Sequence, residues 1–145
     1  MKRPVFPWIL PLALLMVFTL AGCSAKSAAT AEQFQKAAED AGYTVEEQDS
    51  GSIVSVQSAS KDESSMTFYI CNTEDEAKTA VNNLKSNLPT TDNQERVDSS
   101  YYSKYSVEDE ESYYSVIRMG TTVLACAVDI EDKGSCQQVA SALGY

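Results

Sequence analysis

The side chains able to do chemistry in this chain are carboxylates, tyrosines, a few cysteines and one arginine set in an apolar stretch; histidine is absent. Without histidine the usual general base at neutral pH and the commonest metal ligand are missing. Triads of the Ser-His-Asp and Cys-His kinds are therefore impossible here. Paired-carboxylate catalysis of the glycosidase type is what the composition leaves open, because the chain holds 21 Asp and Glu. Those acids, however, gather at helix starts and turns, where water solvates them. The run Glu108-Asp109-Glu110-Glu111 falls between two expected strands, where like charges repel and favour a solvated turn over a cation site. Asp129-Ile130-Glu131-Asp132-Lys133-Gly134 opens like a calcium loop, but Lys133 occupies a ligand position and Ala140 stands where the closing carboxylate belongs. No catalytic residue, metal or cofactor is expected.

A binding surface is the better expectation. Gly120-Thr121 suits a two-residue hairpin turn with glycine first. That register sets Arg118 across from Val123, Val116 across from Ala125 and Tyr114 across from Ala127. Tyr69 and either Tyr102 or Tyr105 can join this face. The candidate binding residues are thus Tyr69, Tyr102, Tyr114, Val116, Arg118, Val123 and Ala125. Small apolar residues beside tyrosines and a cation can hold a sugar, a peptide or another protein, since tyrosine offers a large contact area with a polar tip. The competing reading is a sheet face covered by another part of the chain. Val123, Ala125 and Ala127 make this face too apolar to be fully wet.

The elements that must position these residues follow from spacing. Thr30-Ala31-Glu32-Gln33 has the form of a capping box, and Phe34, Ala37, Ala38 and Ala41 recur at helical spacing before Gly42, which predicts a helix over 31–41. Strands are expected over 43–48 and 53–59, divided by Asp49-Ser50-Gly51, and again where Met66, Phe68 and Ile70 alternate. Thr73-Glu74-Asp75-Glu76 repeats the box, Ala77, Ala80, Val81 and Leu84 form an inward stripe, and Pro89 stops this second helix. Residues 90–100 read as polar and irregular. Strands are expected over 101–107, 113–119 and 122–130, then a helix over 133–143 with Cys136, Val139, Ala140 and Leu143 on one face. The order αβββαβββα, with short turns between strands, predicts one α+β domain over 31–145. It has an antiparallel sheet of about six strands, with three helices on one face. Met66, Phe68, Ile70, Ile117, Leu124, Cys126 and Val128 are the expected core.

The first residues carry an address. Met1-Lys2-Arg3 is a positive start, Val5 to Leu20 is an uncharged apolar run, and Leu20-Ala21-Gly22-Cys23 ends it, which is the layout of an export signal over residues 1–22. An uncleaved membrane helix is disfavoured by the shortness of the run and by Pro7 and Pro11. The last four residues resemble the lipobox of bacterial lipoproteins, which implies cleavage before Cys23 and acylation of its sulfur. Acyl chains on Cys23 would hold the domain to membrane lipid, each buried methylene contributing about 0.8 kcal/mol. Residues 23–30 form a short tether, and the seven from Ser24 to Thr30 span at most about 25 Å. With Lys2 and Arg3 removed, 9 Lys and Arg face 21 Asp and Glu, a net charge of −12. Such a domain is repelled by nucleic acid.

Cys71, Cys126 and Cys136 remain once Cys23 is assigned to the anchor. The odd number leaves at least one free thiol within a single chain. Cys126 and Cys136 both face inward; they can bridge strand to helix or stand as buried reduced thiols, the latter being the ordinary state of small apolar cysteines.

The segments Gln33-Phe34 through Gly42-Tyr43-Thr44-Val45, Tyr102-Ser103-Lys104-Tyr105, Ser115-Val116-Ile117-Arg118-Met119-Gly120-Thr121 and Leu143-Gly144-Tyr145 together resemble a group of small lipoproteins of Gram-positive, clostridial-type bacteria. That resemblance implies an address outside the cytoplasm, on the outer face of the cell membrane, and no activity. The expected role is a non-catalytic binding domain for an envelope protein or glycan. The alternatives are a small envelope enzyme using paired carboxylates and an accessory solute-binding lipoprotein, the latter disfavoured by the lack of two lobes.

Overall fold

Local rules start the fold. In the computed structural model, which describes residues 28–145, both arms of the first capping box form: Thr30 Oγ1 accepts from the Gln33 amide at 3.2 Å and Gln33 Oε1 accepts from the Thr30 amide at 2.9 Å. Helix α1 (Ala31–Asp40) follows, burying Phe34, Ala37 and Ala38. Cys23 and the signal segment lie outside the described residues. Among the described residues no helix is long and apolar enough to cross a membrane.

Three strands come next, β1 (Thr44–Gln48), β2 (Ser55–Lys61) and β3 (Ser64–Ile70), then α2 (Glu74–Ser86). The second capping box is only half realised. Thr73 caps the Glu76 amide, but the Glu76 carboxylate accepts from the Asn72 amide instead of returning to Thr73. The chain continues through β4 (Asn93–Asp98), β5 (Tyr102–Glu108), β6 (Ser112–Met119) and β7 (Thr122–Asp129), a 3-10 turn (Ile130–Asp132) and α3 (Lys133–Ala142). The sheet thus has seven strands, all antiparallel, in the order β1-β2-β3-β7-β6-β5-β4. The additional strand is β4, which occupies part of the stretch expected to be irregular. All six of its residues are exposed, so it carries no inward face to read; it is an edge strand held by the backbone ladder to β5.

The helices do not share one face. Phe34 stacks on Phe68 with ring centroids 5.2 Å apart, and α1 and α3 together cover Met66, Phe68, Ile117, Leu124, Cys126 and Val128. Ile70, the seventh expected core residue, is only partly buried and packs at the rim of that cluster. Helix α2 lies on the opposite face, where Ala77 and Val81 pack with Cys71, Val116 and Val123. Topology explains this. The β3-to-β4 connection must travel from the middle of the sheet to its far edge, and the first face is already occupied.

The Gly120-Thr121 turn is as expected, with Gly120 at φ 58° and Met119 paired to Thr122. Cys126 and Cys136 are disulfide-bonded, fastening α3 to β7 across a sequence separation of 10, and Cys71 is a free, buried thiol. A bridge closing so short a loop contributes about 3 kcal/mol on the chain-entropy model.

A polar clasp holds the start of α3. Lys61 Nζ and Ser64 Oγ each donate to the Asp132 carboxylate at 2.9 Å, and the Asp129 amide donates to Ser64 Oγ at 3.0 Å. The Lys61 hydrogen bond, followed by that of Ser64, holds the Asp132 carboxyl below the usual carboxylate range. Its folded pKa is thus below the unfolded value of about 3.9. The resulting stability is full above that value and is lost as the pH falls through the folded one. Asp132→Asn should unfold at lower urea than the native chain at pH 7, and the gap should narrow at pH 3; urea unfolding at the two pH values measures this.

Candidate functional site

The sheet is wider than its covering. Helix α2 packs on β6 and β7 on one face, and α1 and α3 pack on the other, so β4 overhangs on both sides and β5 is covered only in part. Three cavities flank that overhang.

The first lies between α2 and the β4–β5 hairpin. Its volume is about 240 Å³, and Lys78, Lys85, Arg96, Lys104 and Arg118 line it with a single acid, Asp98. This is a cationic site in a chain whose Asp and Glu outnumber its Lys and Arg by 21 to 11. Lys78 and Lys85 come from one face of α2, two turns apart; Arg96 comes from β4 and Arg118 from β6. Lys104 borders the groove but adds no charge to it: it pairs with Ile117 and Val97, so its side chain takes the opposite sheet face, where its ammonium group meets Glu95 at 2.7 Å.

Arg118 forms the floor. It is 2% exposed, and its guanidinium donates to the carbonyls of Gly120 at 3.2 Å, Ser99 at 3.3 Å and Ser100 at 3.0 Å. It ties the β4–β5 turn to the β6–β7 turn. The Gly120 amide adds a bond to the Tyr101 carbonyl at 2.8 Å, and a Cβ on Gly120 would come within 2.9 Å of the Tyr101 ring. Three neutral carbonyls take up three of its five N–H donors and supply no negative charge, and no carboxylate bonds Arg118 among the described residues.

The other cationic side chains are loosely held. Arg96 meets Asp98 at 3.4 Å and Lys78 meets Asp75 at 3.3 Å, both pairs exposed, a class of contact worth about 0–1 kcal/mol. Lys85 Nζ sits 5.0 Å from the centre of the Tyr105 ring.

The expected sheet-face site is largely displaced by this arrangement. The register itself holds: Arg118 pairs with Val123, Val116 with Ala125 and Tyr114 with Ala127. Yet Val116 and Val123 are buried in the α2 cluster and Arg118 is buried with them, while Tyr69 packs at its edge. Tyr114 and Ala125 are half-buried and Ala127 exposed, leaving a narrow strip with Thr67. Tyr102 is on the other face altogether, because it pairs with Met119 and not with Arg118. Tyr105 is the tyrosine that shares the face of Arg118 through its partner Val116.

Tyr102 instead lines the second cavity, about 330 Å³, with Tyr113, Ile117, Cys136 and Tyr145 between α3 and β5. Burial pushes the Tyr145 phenol well above its ordinary range, so it remains a neutral hydroxyl that shares a 2.5 Å hydrogen bond with Thr122 Oγ1.

The third cavity, about 170 Å³, brings two carboxylates together, Glu95 and Glu108. A glycosidase needs one of its pair to stay protonated as the general acid. Here Glu95 is ion-paired to Lys104 and Glu108 to Lys133, and the Lys133 hydrogen bond holds the Glu108 carboxyl below the usual range. That is the opposite of what the acid role requires. The neighbouring acidic run makes a turn: Asp109 Oδ1 accepts from the Glu111 and Ser112 amides at 2.9 and 2.8 Å.

No motif marked the 240 Å³ site. Lys78 and Lys85, seven apart on one helix, were a partial signal, but Arg96 lay in a stretch without readable periodicity. Arg118→Met should lower stability by about 2 kcal/mol or more, since it leaves buried carbonyls without donors, whereas Lys85→Gln and Arg96→Gln should each stay within about 1 kcal/mol; chemical unfolding of the three variants tests the division between floor and rim. Compared with known proteins, the chain matches no family model, no curated protein and no solved structure.

Proposed function

We propose that this chain is a non-catalytic binding domain, lipid-anchored through acylated Cys23 on the outer face of a bacterial membrane, which takes up an envelope component in the groove between α2 and the β4–β5 hairpin. The observation that carries the reading is the concentration of cations around that groove, floored by a buried arginine without a carboxylate partner. A chain of net acidic character gains nothing for solubility from clustering its few cations. Charge gathered in a concavity serves recognition.

One further feature supports the address. A disulfide between Cys126 and Cys136 suits an oxidising compartment outside the cytoplasm. The groove itself lies on the sheet face opposite α1. The excess of acids elsewhere opposes a nucleic-acid partner. At about 240 Å³ the groove falls just below the roughly 300–1,000 Å³ usual for small-molecule sites; it fits one chemical group of a larger component, or a small solute.

Retention of envelope material from the host by the full chain separates this reading from the open-face alternative. Lys85→Glu with Arg96→Glu reverses the groove's charge, while Thr67→Glu blocks the half-exposed strip beside Ala125. The groove variant should lose the component that the native chain retains, and the strip variant should keep it. Equal retention by the groove variant, or loss only on Thr67→Glu, would contradict the proposal.

A further inference from the structure

Resting on the binding-domain reading, we infer that the group held in the α2–β5 groove is a phosphate, as a monoester or a diester. The cations approach from three elements. Lys78 and Lys85 stand on the helical wall, Arg96 on the strand wall and Arg118 on the floor. A carboxylate offers two oxygens in one plane and is well served by a single guanidinium fork. Donors arrayed around a cavity on several sides match a tetrahedral anion, whose oxygens point in as many directions.

Charge accounting favours the same ligand. Asp98 is the one acid lining the groove, and it meets Arg96 in an exposed contact at 3.4 Å. Asp75, which meets Lys78, is 93% exposed on its side chain, so both acids can turn to water when an anion enters. Glu95 is committed to Lys104. The rest of the acidic surface is damped over a screening length of about 8 Å at physiological ionic strength, leaving the local field to Lys78, Lys85, Arg96 and Arg118.

Arg118 adds selectivity by being fixed. Its three hydrogen bonds to carbonyls pre-order the guanidinium before any ligand arrives, so the entropy of placing it is already spent in folding. Each of these bonds leaves the positive charge uncompensated, and a bound phosphate would supply the missing counter-charge. The volume is consistent: water occupies about 30 Å³ per molecule in the liquid, so the 240 Å³ cavity has the room of about eight waters, enough for one phosphate with its ester substituent.

The test is an amide chemical-shift titration of the full chain in non-ionic detergent micelles. Inorganic phosphate is the first probe, bis(glycerol) phosphate the diester probe, and acetate and chloride at matched ionic strength the controls. Saturable shifts at Ser99, Ser103 and Arg118 with inorganic phosphate or the diester are expected, half-saturating at roughly 5 mM or below, an affinity near the weak end of specific binding. Response to the diester identifies an esterified polymer as the source, and response to inorganic phosphate alone identifies a free or terminal phosphate. Lys85→Gln with Arg96→Gln should raise the half-saturation point about tenfold or more, as expected on losing charge-assisted hydrogen bonds, in a spectrum otherwise unchanged. Equal saturation by acetate, shifts that follow chloride, or no change in the double variant would overturn the assignment. If the groove variant still loses its envelope component while phosphate fails to bind, the binding-domain reading stands and the phosphate assignment falls.

Discussion

One buried cation organises the end of this sheet. The Arg118 guanidinium reaches from β6 to three carbonyls on two separate turns, and it adds a side-chain tie to the β5–β6 ladder that holds the β4–β5 hairpin. Side-chain hydrogen bonds of this kind act where no helix packs. The clasp is tightened by the Gly120 amide on the Tyr101 carbonyl and by the close seat of the Tyr101 ring against Gly120. A charge held by carbonyls stays positive, so the same contact that fixes the hairpin also leaves an electrostatic demand at the bottom of the groove.

The second constraint is one of area. Three short helices cannot cover both faces of a seven-stranded sheet. The apolar residues of β6 and β7 attract the cover: Leu124 and Ile117 on one face, Val123 and Val116 on the other. The outer strand β4 receives none, and it is accordingly polar except for Val97, which is itself exposed. Grooves arise on both sides as a geometric consequence. What distinguishes the α2 side is chemistry, since its rim carries Lys78, Lys85 and Arg96, whereas the α3 side is lined with tyrosines and the Glu108–Lys133 ion pair.

Features set by near neighbours were readable in the residues alone. The α1 capping box, the Gly120-Thr121 turn and the register it imposes on Arg118, Val116 and Tyr114 are all local. Features set by distant chain were not. Strand β4 has no apolar alternation because neither of its faces is covered, and pattern reading finds only buried faces. The position of α2 depends on a crossover between non-adjacent strands, so the face expected to be an open binding surface is roofed at Val116, Val123 and Arg118. Val123, Ala125 and Ala127 did signal that this face is not fully wet. Tyr102 was misplaced by parity, because a strand reverses its faces at each residue and only the pairing with Met119 decides which one Tyr102 takes.

The central claim is that the groove's positive charge is there to meet an anion. A crystal structure of the full chain grown with phosphate tests it most directly. The account predicts tetrahedral density in the groove, within hydrogen-bond reach of Arg118 and of Arg96 or Lys85, with Arg118 still bonded to Ser99, Ser100 and Gly120. A groove holding only water at saturating phosphate, or closed by Asp98 and Asp75 turned inward onto the cations, would contradict it.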